Sequence, residues 1–387
     1  VAEVRPDGRL NVVGLGTQPT NGLKRGVVVN IEATVDAISR VLQEVELMAE
    51  CKIHDVYTGI AGSHIKSFNS SGTVAIKEKE VTPTDVDRVI EVARAMPIPA
   101  EQQILHILTQ EFIIDGQGGV REPIGMSGVR LEVKVHIVTG AVSAAQNVIK
   151  CVRRCGLEVM DLSLQPLASS YAVLTEDEKE LGVCMVDIGG GTTDIAVFTQ
   201  GAIRHTAVIP VAGDQITNDI AMALRTPTAE AEEIKIRHGV AMHQMADPEE
   251  MIEVPGVGDR PPRKLSRQAL ADVIEPRVSE LFELVQAELR RSGYEELLSS
   301  GIVLTGGSAV MRGMAELGED VFHMPVRVGA PQYDGGLADV VCQPRYSTAM
   351  GLVMEGAAQR RRGFQARDTR SVKQFFGRMK SWFERNF

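Results

Sequence analysis

Three consecutive glycines, Gly189, Gly190 and Gly191, are followed directly by Thr192 and Thr193, with Asp187 two residues before them. Glycines let backbone N–H groups approach phosphate oxygens with no Cβ in the way, and the two hydroxyls can add donors. Asp187 stands where a carboxylate can hold the shell of a Mg²⁺ ion or orient a water, and Asp194 opens the next segment. A bare glycine triplet is most often a plain turn, but turn chemistry alone requires neither the aspartate nor the threonines. About 110 residues later the chain reads Gly301-Ile-Val-Leu-Thr-Gly-Gly-Ser-Ala-Val310. There Gly306, Gly307 and Ser308 would let a flat base and its ribose lie against backbone at a helix N-terminus. Between the two motifs, Thr226 to Gly239 has helical periodicity and offers Glu232 and Lys235 on one side.

The elements that must position these residues are legible around them. Leu181 to Phe198 reads as a buried strand, a glycine turn and a second strand, so the first motif is a phosphate-binding hairpin. The second motif is a strand and turn leading into a helix. Phosphate motif, ribose-contacting helix and adenosine motif, in that order, resemble the actin, DnaK-chaperone and sugar-kinase superfamily. The resemblance implies ATP and Mg²⁺ as cofactors and an α/β fold of two related halves. Leu164 to Ala172 resembles the helix that joins the halves, and Gln165 falls where actins carry the glutamine that positions the attacking water. A glutamine before Pro166 serves equally as a strand-end or helix-start residue, so both roles stay open.

The 387 residues are 44% apolar and carry 41 basic against 51 acidic side chains, which excludes disorder and allows two or more domains. No uncharged apolar run reaches the ~18 residues of a membrane span, and the start has no basic and apolar signal pattern. Five cysteines (Cys51, Cys151, Cys155, Cys184, Cys342) are too few and odd in number for a disulfide framework, which fits a reducing compartment.

Charge and aromatics are concentrated at the end. Residues 360–387 carry a net charge of +7 against −17 for the rest, and residues 375–387 hold four of the ten Phe and the one Trp. An acidic body of that kind repels nucleic acid. Read as a helix, 371–387 places Phe375, Phe376, Met379, Trp382 and Phe383 on one face, with Lys373, Arg378 and Lys380 flanking it. A C-terminal apolar stripe usually docks on its own domain. The wide aromatic face, the basic flanks and the polar stretch before it, read as a linker over 356–370, favour a helix lying in an anionic membrane surface. One copy should bind weakly, and several copies held in an oligomer much more firmly.

The whole chain resembles the FtsA family of bacterial division proteins. The matching segments include Glu46-Leu47-Met48-Ala49, Gly125-Met-Ser-Gly-Val-Arg130, Leu167-Ala-Ser-Ser170, Glu232 to Gly239, Arg260-Pro-Pro-Arg263 and Val273-Ile-Glu-Pro-Arg277. The resemblance implies an actin-like fold with a first subdomain at 1–60 and 139–173, an inserted subdomain at 61–138, a nucleotide subdomain at 174–225 and 301–355, and a distal subdomain at 226–300. It implies self-assembly, weak ATPase activity at most, and attachment of the FtsZ polymer to the cytoplasmic face of the inner membrane. The FtsZ C-terminal tail would bind the distal subdomain, with Arg267 and Arg277 as candidate contacts, and other division proteins would follow. Surface arginines are more often merely solvated. The rivals are an actin-like pilus-assembly adaptor and a small-molecule kinase of the same superfamily.

Comparison of the two halves sets one further expectation. The second half runs strand, glycine turn, strand, turn, strand, helix. The first opens at Val1 with a strand, the Arg5-Pro6-Asp7-Gly8 turn, a strand through Gly16 and a helix near Ile31 to Ala49. One strand and one phosphate loop are therefore expected upstream, about two dozen residues.

Overall fold

The computed structural model describes residues 1–5, 7–258 and 260–365, with backbone alone for 361–365. The second half is built on a five-stranded sheet whose central strand, Val183–Ile188, is buried at every residue. It pairs antiparallel with Thr193–Thr199 and parallel with Ile302–Thr305. Ala202–Ile209 and Val326–Val328 form the two edges. A strand covered on both faces has to be apolar throughout, which is what Val-Cys-Met-Val-Asp-Ile supplies except at Asp187.

The first half holds an antiparallel hairpin, Ala2–Val4 with Leu10–Val12, and a separate parallel pair, Asp55–Ile60 with Glu158–Leu164. By order along the chain, these correspond to the two flanks of Val183–Ile188. No strand joins them among the described residues. The second strand of the hairpin stops at Val12, short of the expected Gly16, and beyond it Gly14 and Gly16 lie tightly against Val45 and Val41 of the helix Ile31–Ala49. That helix of 19 residues buries only Thr34 and Val45.

Residues 66–141 form a four-stranded antiparallel sheet in the order Lys66–Ala75, Arg130–Ala141, Gln102–Ile114, Gln117–Val120. The helix Pro83–Arg94, opened by a Thr82–Asp85 capping box, covers one face. Gly72 allows this close approach, since a Cβ there would sit 2.3 Å from the Val89 carbonyl oxygen. Leu131, Val133, Val135 and Ile137 project from the central strand into the resulting core.

The distal part consists of the helix Thr228–His238, a hairpin of Met251–Val254 with Arg263–Ser266, and the long helix Arg267–Ser292. Eight residues of the long helix are buried, Phe282 completely, seven of them in a core shared with the five-stranded sheet and Ala271 in a small cluster with Val240 and Ala246. Pro276 is accommodated inside it. The last helix, Ser347–Gln365, continues through the first ten residues of the stretch read as a linker. Its Gly351 packs on Ala168 and its Gly356 on Tyr57, and those tertiary contacts hold a segment that lacks apolar periodicity. Among the described residues, no helix is long and apolar enough to cross a membrane.

Candidate functional site

The two strands of the glycine hairpin are in register so that Asp187 and Asp194 stand directly opposite one another. Both carboxylates are buried. Asp187 Oδ2 accepts from Ser169 Oγ at 2.6 Å and Thr348 Oγ1 at 3.2 Å, and Asp194 Oδ2 accepts from Thr192 Oγ1 at 3.0 Å. Asp194 Oδ1 is buried with no partner among the described residues. Burial pushes both acids above the ordinary carboxylate range, Asp194 to about 8, where the facing charge of Asp187 adds to the effect. A pair of desolvated acids with an orphaned oxygen is chemically suited to a divalent cation.

Around this pair the turn itself is anchored by its carbonyls. The N–H groups of Gly213 and Asp214, at the start of the helix Gly213–Leu224, donate to the carbonyls of Gly189 at 3.1 Å and Gly190 at 2.7 Å. Ser308 Oγ donates to the same Gly189 carbonyl at 3.0 Å. The N–H groups of Gly190 and Gly191 donate to no acceptor among the described residues. Two adjacent free amides on a glycine turn make an anion-binding concavity.

The adenosine motif closes on this turn. Gly306 has φ +89°, and a Cβ on it would lie 2.5 Å from Asp187 Oδ1 and 2.5 Å from the Ile188 carbonyl oxygen, so only glycine fits. The regular helix begins later than expected, at Met314, and Gly307–Val310 is a single tight 3-10 turn. Lys235, buried, donates to the Gly213 carbonyl at 3.1 Å, Thr217 Oγ1 at 2.8 Å and Glu232 Oε2 at 2.6 Å. Thr217 Oγ1 also donates to Glu232. The structure thus brings Gly189, Gly190, Gly191, Thr192, Asp187, Glu232, Lys235, Gly306, Gly307 and Ser308 to one place.

Other candidates have different surroundings. Thr193 Oγ1 donates to the Val211 carbonyl at 2.8 Å and is spent within the sheet. Gln165 opens the helix Gln165–Val173 and packs on Gly59 of the first half. It lies one turn from Ser169, on the same helix face as the hydroxyl that binds Asp187. Arg267 and Arg277 both lie on the long helix but are engaged within the chain. Arg267 donates to Glu250 at 2.6 Å and the His238 carbonyl at 2.9 Å, and Arg277 grips Asp219 with two nitrogens and also pairs with Glu280. Phe375, Phe376, Met379, Trp382, Phe383, Lys373, Arg378 and Lys380 lie outside the described residues.

The cell division protein FtsA of Pseudomonas aeruginosa is 61% identical over all of this chain and 94% of its own length, and that of Escherichia coli K12 is 47% identical with the same coverage. The chain belongs to the FtsA family. The family model for cell division protein FtsA matches residues 184–351, and that for the SHS2 domain inserted in FtsA matches 62–139. Among solved structures, the PilM–PilN type IV pilus biogenesis complex superposes with a TM-score of 0.66 at 19% identity, covering 92% of this chain and 94% of that one. MreB5 of Spiroplasma citri bound to ADP gives 0.55 at 16%, covering 94% and 83%. These likenesses establish an actin-like ATPase fold with an inserted domain.

Within this FtsA-family site, sequence reading missed Gly213, Asp214, Thr217, Ser169 and Thr348. The Val211-Ala-Gly-Asp214 run before a helical stretch was a usable signal, because glycine followed by aspartate is a common helix opening. Ser169 and Thr348 carried none, since they reach Asp187 only through helix packing.

Proposed function

We propose that this chain is an ATP-binding, self-assembling adaptor of the division machinery that ties the FtsZ polymer to the cytoplasmic face of the inner membrane. The observation that carries the reading is the convergence of the free Gly190 and Gly191 amides, the Asp187–Asp194 pair and the Gly306–Ser308 turn in a member of the FtsA family. Nucleotide phosphates would lie on the glycine amides, with Mg²⁺ beside the paired aspartates and the ribose near Glu232 and Lys235. The ADP-bound state of MreB5, which shares the fold, supports the same use of the cleft here. Filament formation by this chain would supply the self-association, and the FtsZ tail would dock on the distal part near Arg277, exchanging its present carboxylate partners for those of an acidic peptide.

The amphipathic pattern of 371–387 supports membrane attachment. Sedimentation with anionic liposomes, with and without ATP, tests the assignment on the full chain and on one lacking 371–387. The full chain should pellet with lipid and the shortened one should stay in solution. Pelleting that ignores the tail would overturn the membrane role.

A further inference from the structure

A second wall of the nucleotide cleft comes from the first half, and it presents an arginine. The strands Leu23–Lys24 and Val27–Val28 pair antiparallel, leaving Arg25 and Gly26 as a two-residue loop. Both have positive φ, 49° and 76°, the signature of a type I′ hairpin. The tip lies against the last residue of the phosphate turn. A Cβ on Gly191 would be 3.0 Å from Arg25 Cα, 3.1 Å from its nitrogen and 3.5 Å from the Gly26 nitrogen. Behind the tip, a Cβ on Gly26 would meet the Ala61 carbonyl carbon and the Gly62 nitrogen at 3.1 Å, so the hairpin is braced from the back.

Left-handed geometry at the first loop position suits Asn or Gly, and Arg25 occupies it here as Gln200 does in the hairpin between Thr199 and Ala202. The Arg25 side chain is exposed and has no hydrogen bond or ion pair among the described residues. The other cations at the glycine motifs are differently placed. Lys235 is committed to Glu232, Thr217 and Gly213, and Arg345 lies beside Gly307 with its guanidinium 5.3 Å from the Tyr346 ring. Along the cleft, Ser308 marks the adenosine end at Gly189, and Gly191 marks the opposite end, facing the first half.

We propose that Arg25 binds the terminal phosphate of a nucleoside triphosphate from across the cleft, so that the first half distinguishes triphosphate from diphosphate. This rests on the nucleotide-site reading above. A planar guanidinium can engage two oxygens of a terminal phosphate at once, whereas the inner phosphates are held by the glycine amides of the other half. The two halves are thereby joined through the ligand only while the terminal phosphate is present.

Affinities of the full chain for ATP and ADP, measured by equilibrium dialysis at fixed Mg²⁺, test this with Arg25→Ala, Arg25→Lys and Lys24→Ala. Arg25→Ala should weaken ATP roughly tenfold and leave ADP within about twofold, because one charge-assisted contact is lost only with the triphosphate. Arg25→Lys should recover part of the loss, and Lys24→Ala should behave as wild type. An unchanged ATP-to-ADP ratio in Arg25→Ala, or an equal loss in Lys24→Ala, would overturn the proposal while the site reading stands. A wild-type chain that binds neither nucleotide would overturn the site reading and the proposal with it.

Discussion

Gly306 shows how much of the site depends on a single missing atom. Its φ of +89° already costs an L-residue about 1–2 kcal/mol, and the added methyl of Gly306→Ala would strike the Asp187 carboxylate and the Ile188 carbonyl together. The variant should lower the urea midpoint and lose ATP in dialysis, whereas Gly116→Ala, with open space around it at a similar φ, should show strain alone. Ser169→Ala removes the 2.6 Å donor to a buried carboxylate and should cost about 1–3 kcal/mol in urea unfolding. The residues that sequence identified, from Asp187 to Thr192 and from Gly306 to Ser308, are those whose chemistry is carried by neighbours in the chain. Arg25, Ser169 and Thr348 were not legible, because their proximity to the turn arises from packing between segments tens of residues apart. The surroundings of Thr193 have the same origin: strand alternation turns its hydroxyl to the Val211 carbonyl, and a run of two threonines does not reveal this.

Strands and helices with a complete internal pattern were readable, such as Val183–Ile188 and Thr228–His238. Those defined by contacts were not, as the early end of the Leu10–Val12 strand and the helical start of the expected linker show. In the long helix, Phe282 is wholly buried against Phe322, and Phe282→Ala should cost about 3–5 kcal/mol, read from chemical denaturation. A different element contact is polar. The edge strand Ala202–Ile209 is covered by the inserted sheet through Ser67 Oγ to the Thr206 carbonyl at 2.8 Å, Asn69 Nδ2 to the Arg204 carbonyl at 3.2 Å and Gln110 Nε2 to the Ile203 carbonyl at 2.9 Å. Edge carbonyls are thus capped and closed to another strand. His136 sits in this seam, 2.7 Å from Asn69 Oδ1 and 2.9 Å from Thr206 Oγ1. Burial, with the nearby His205 adding to it, lowers its pKa to about 4. The unfolded chain takes up this proton near pH 6.5 and the folded one only near 4. Stability is therefore full above 6.5 and falls as pH drops through that window, by at most about 1.4 kcal/mol per pH unit. His136→Gln should flatten that part of a melting-temperature profile against pH; a parallel profile would mean that other groups set the acid slope.

At the scale of the whole molecule, the inserted domain leaves the first half in sequence but is hydrogen-bonded to the second, and Arg25 leaves the first half to meet the phosphate turn. The halves also meet where the Val12 N–H donates to the Tyr333 hydroxyl at 2.7 Å, where Ser169 reaches Asp187 and where Gly351 packs on Ala168; in the proposal above, a terminal phosphate on Arg25 would add a contact that depends on ligand. In that reading, nucleotide state would bias the relative setting of the halves, and so the surfaces that one copy offers to the next. The same coupling bears on the membrane. In the proposed membrane role, a single copy of 371–387, read as an amphipathic helix, would bind weakly, and several copies held in an assembly would bind together through their high effective concentration. Liposome binding should therefore rise steeply with protein concentration rather than hyperbolically, and should become steeper with ATP. It should also weaken as salt is raised from about 0.1 M to 1 M, where the screening length falls from about 10 Å to 3 Å and the attraction of the +7 segment 360–387 to anionic lipid is lost. The same tail fused to a monomeric carrier separates the two effects. It should keep the salt dependence and lose the steepness, and a carrier that binds as tightly as the full chain would show that attachment needs no assembly.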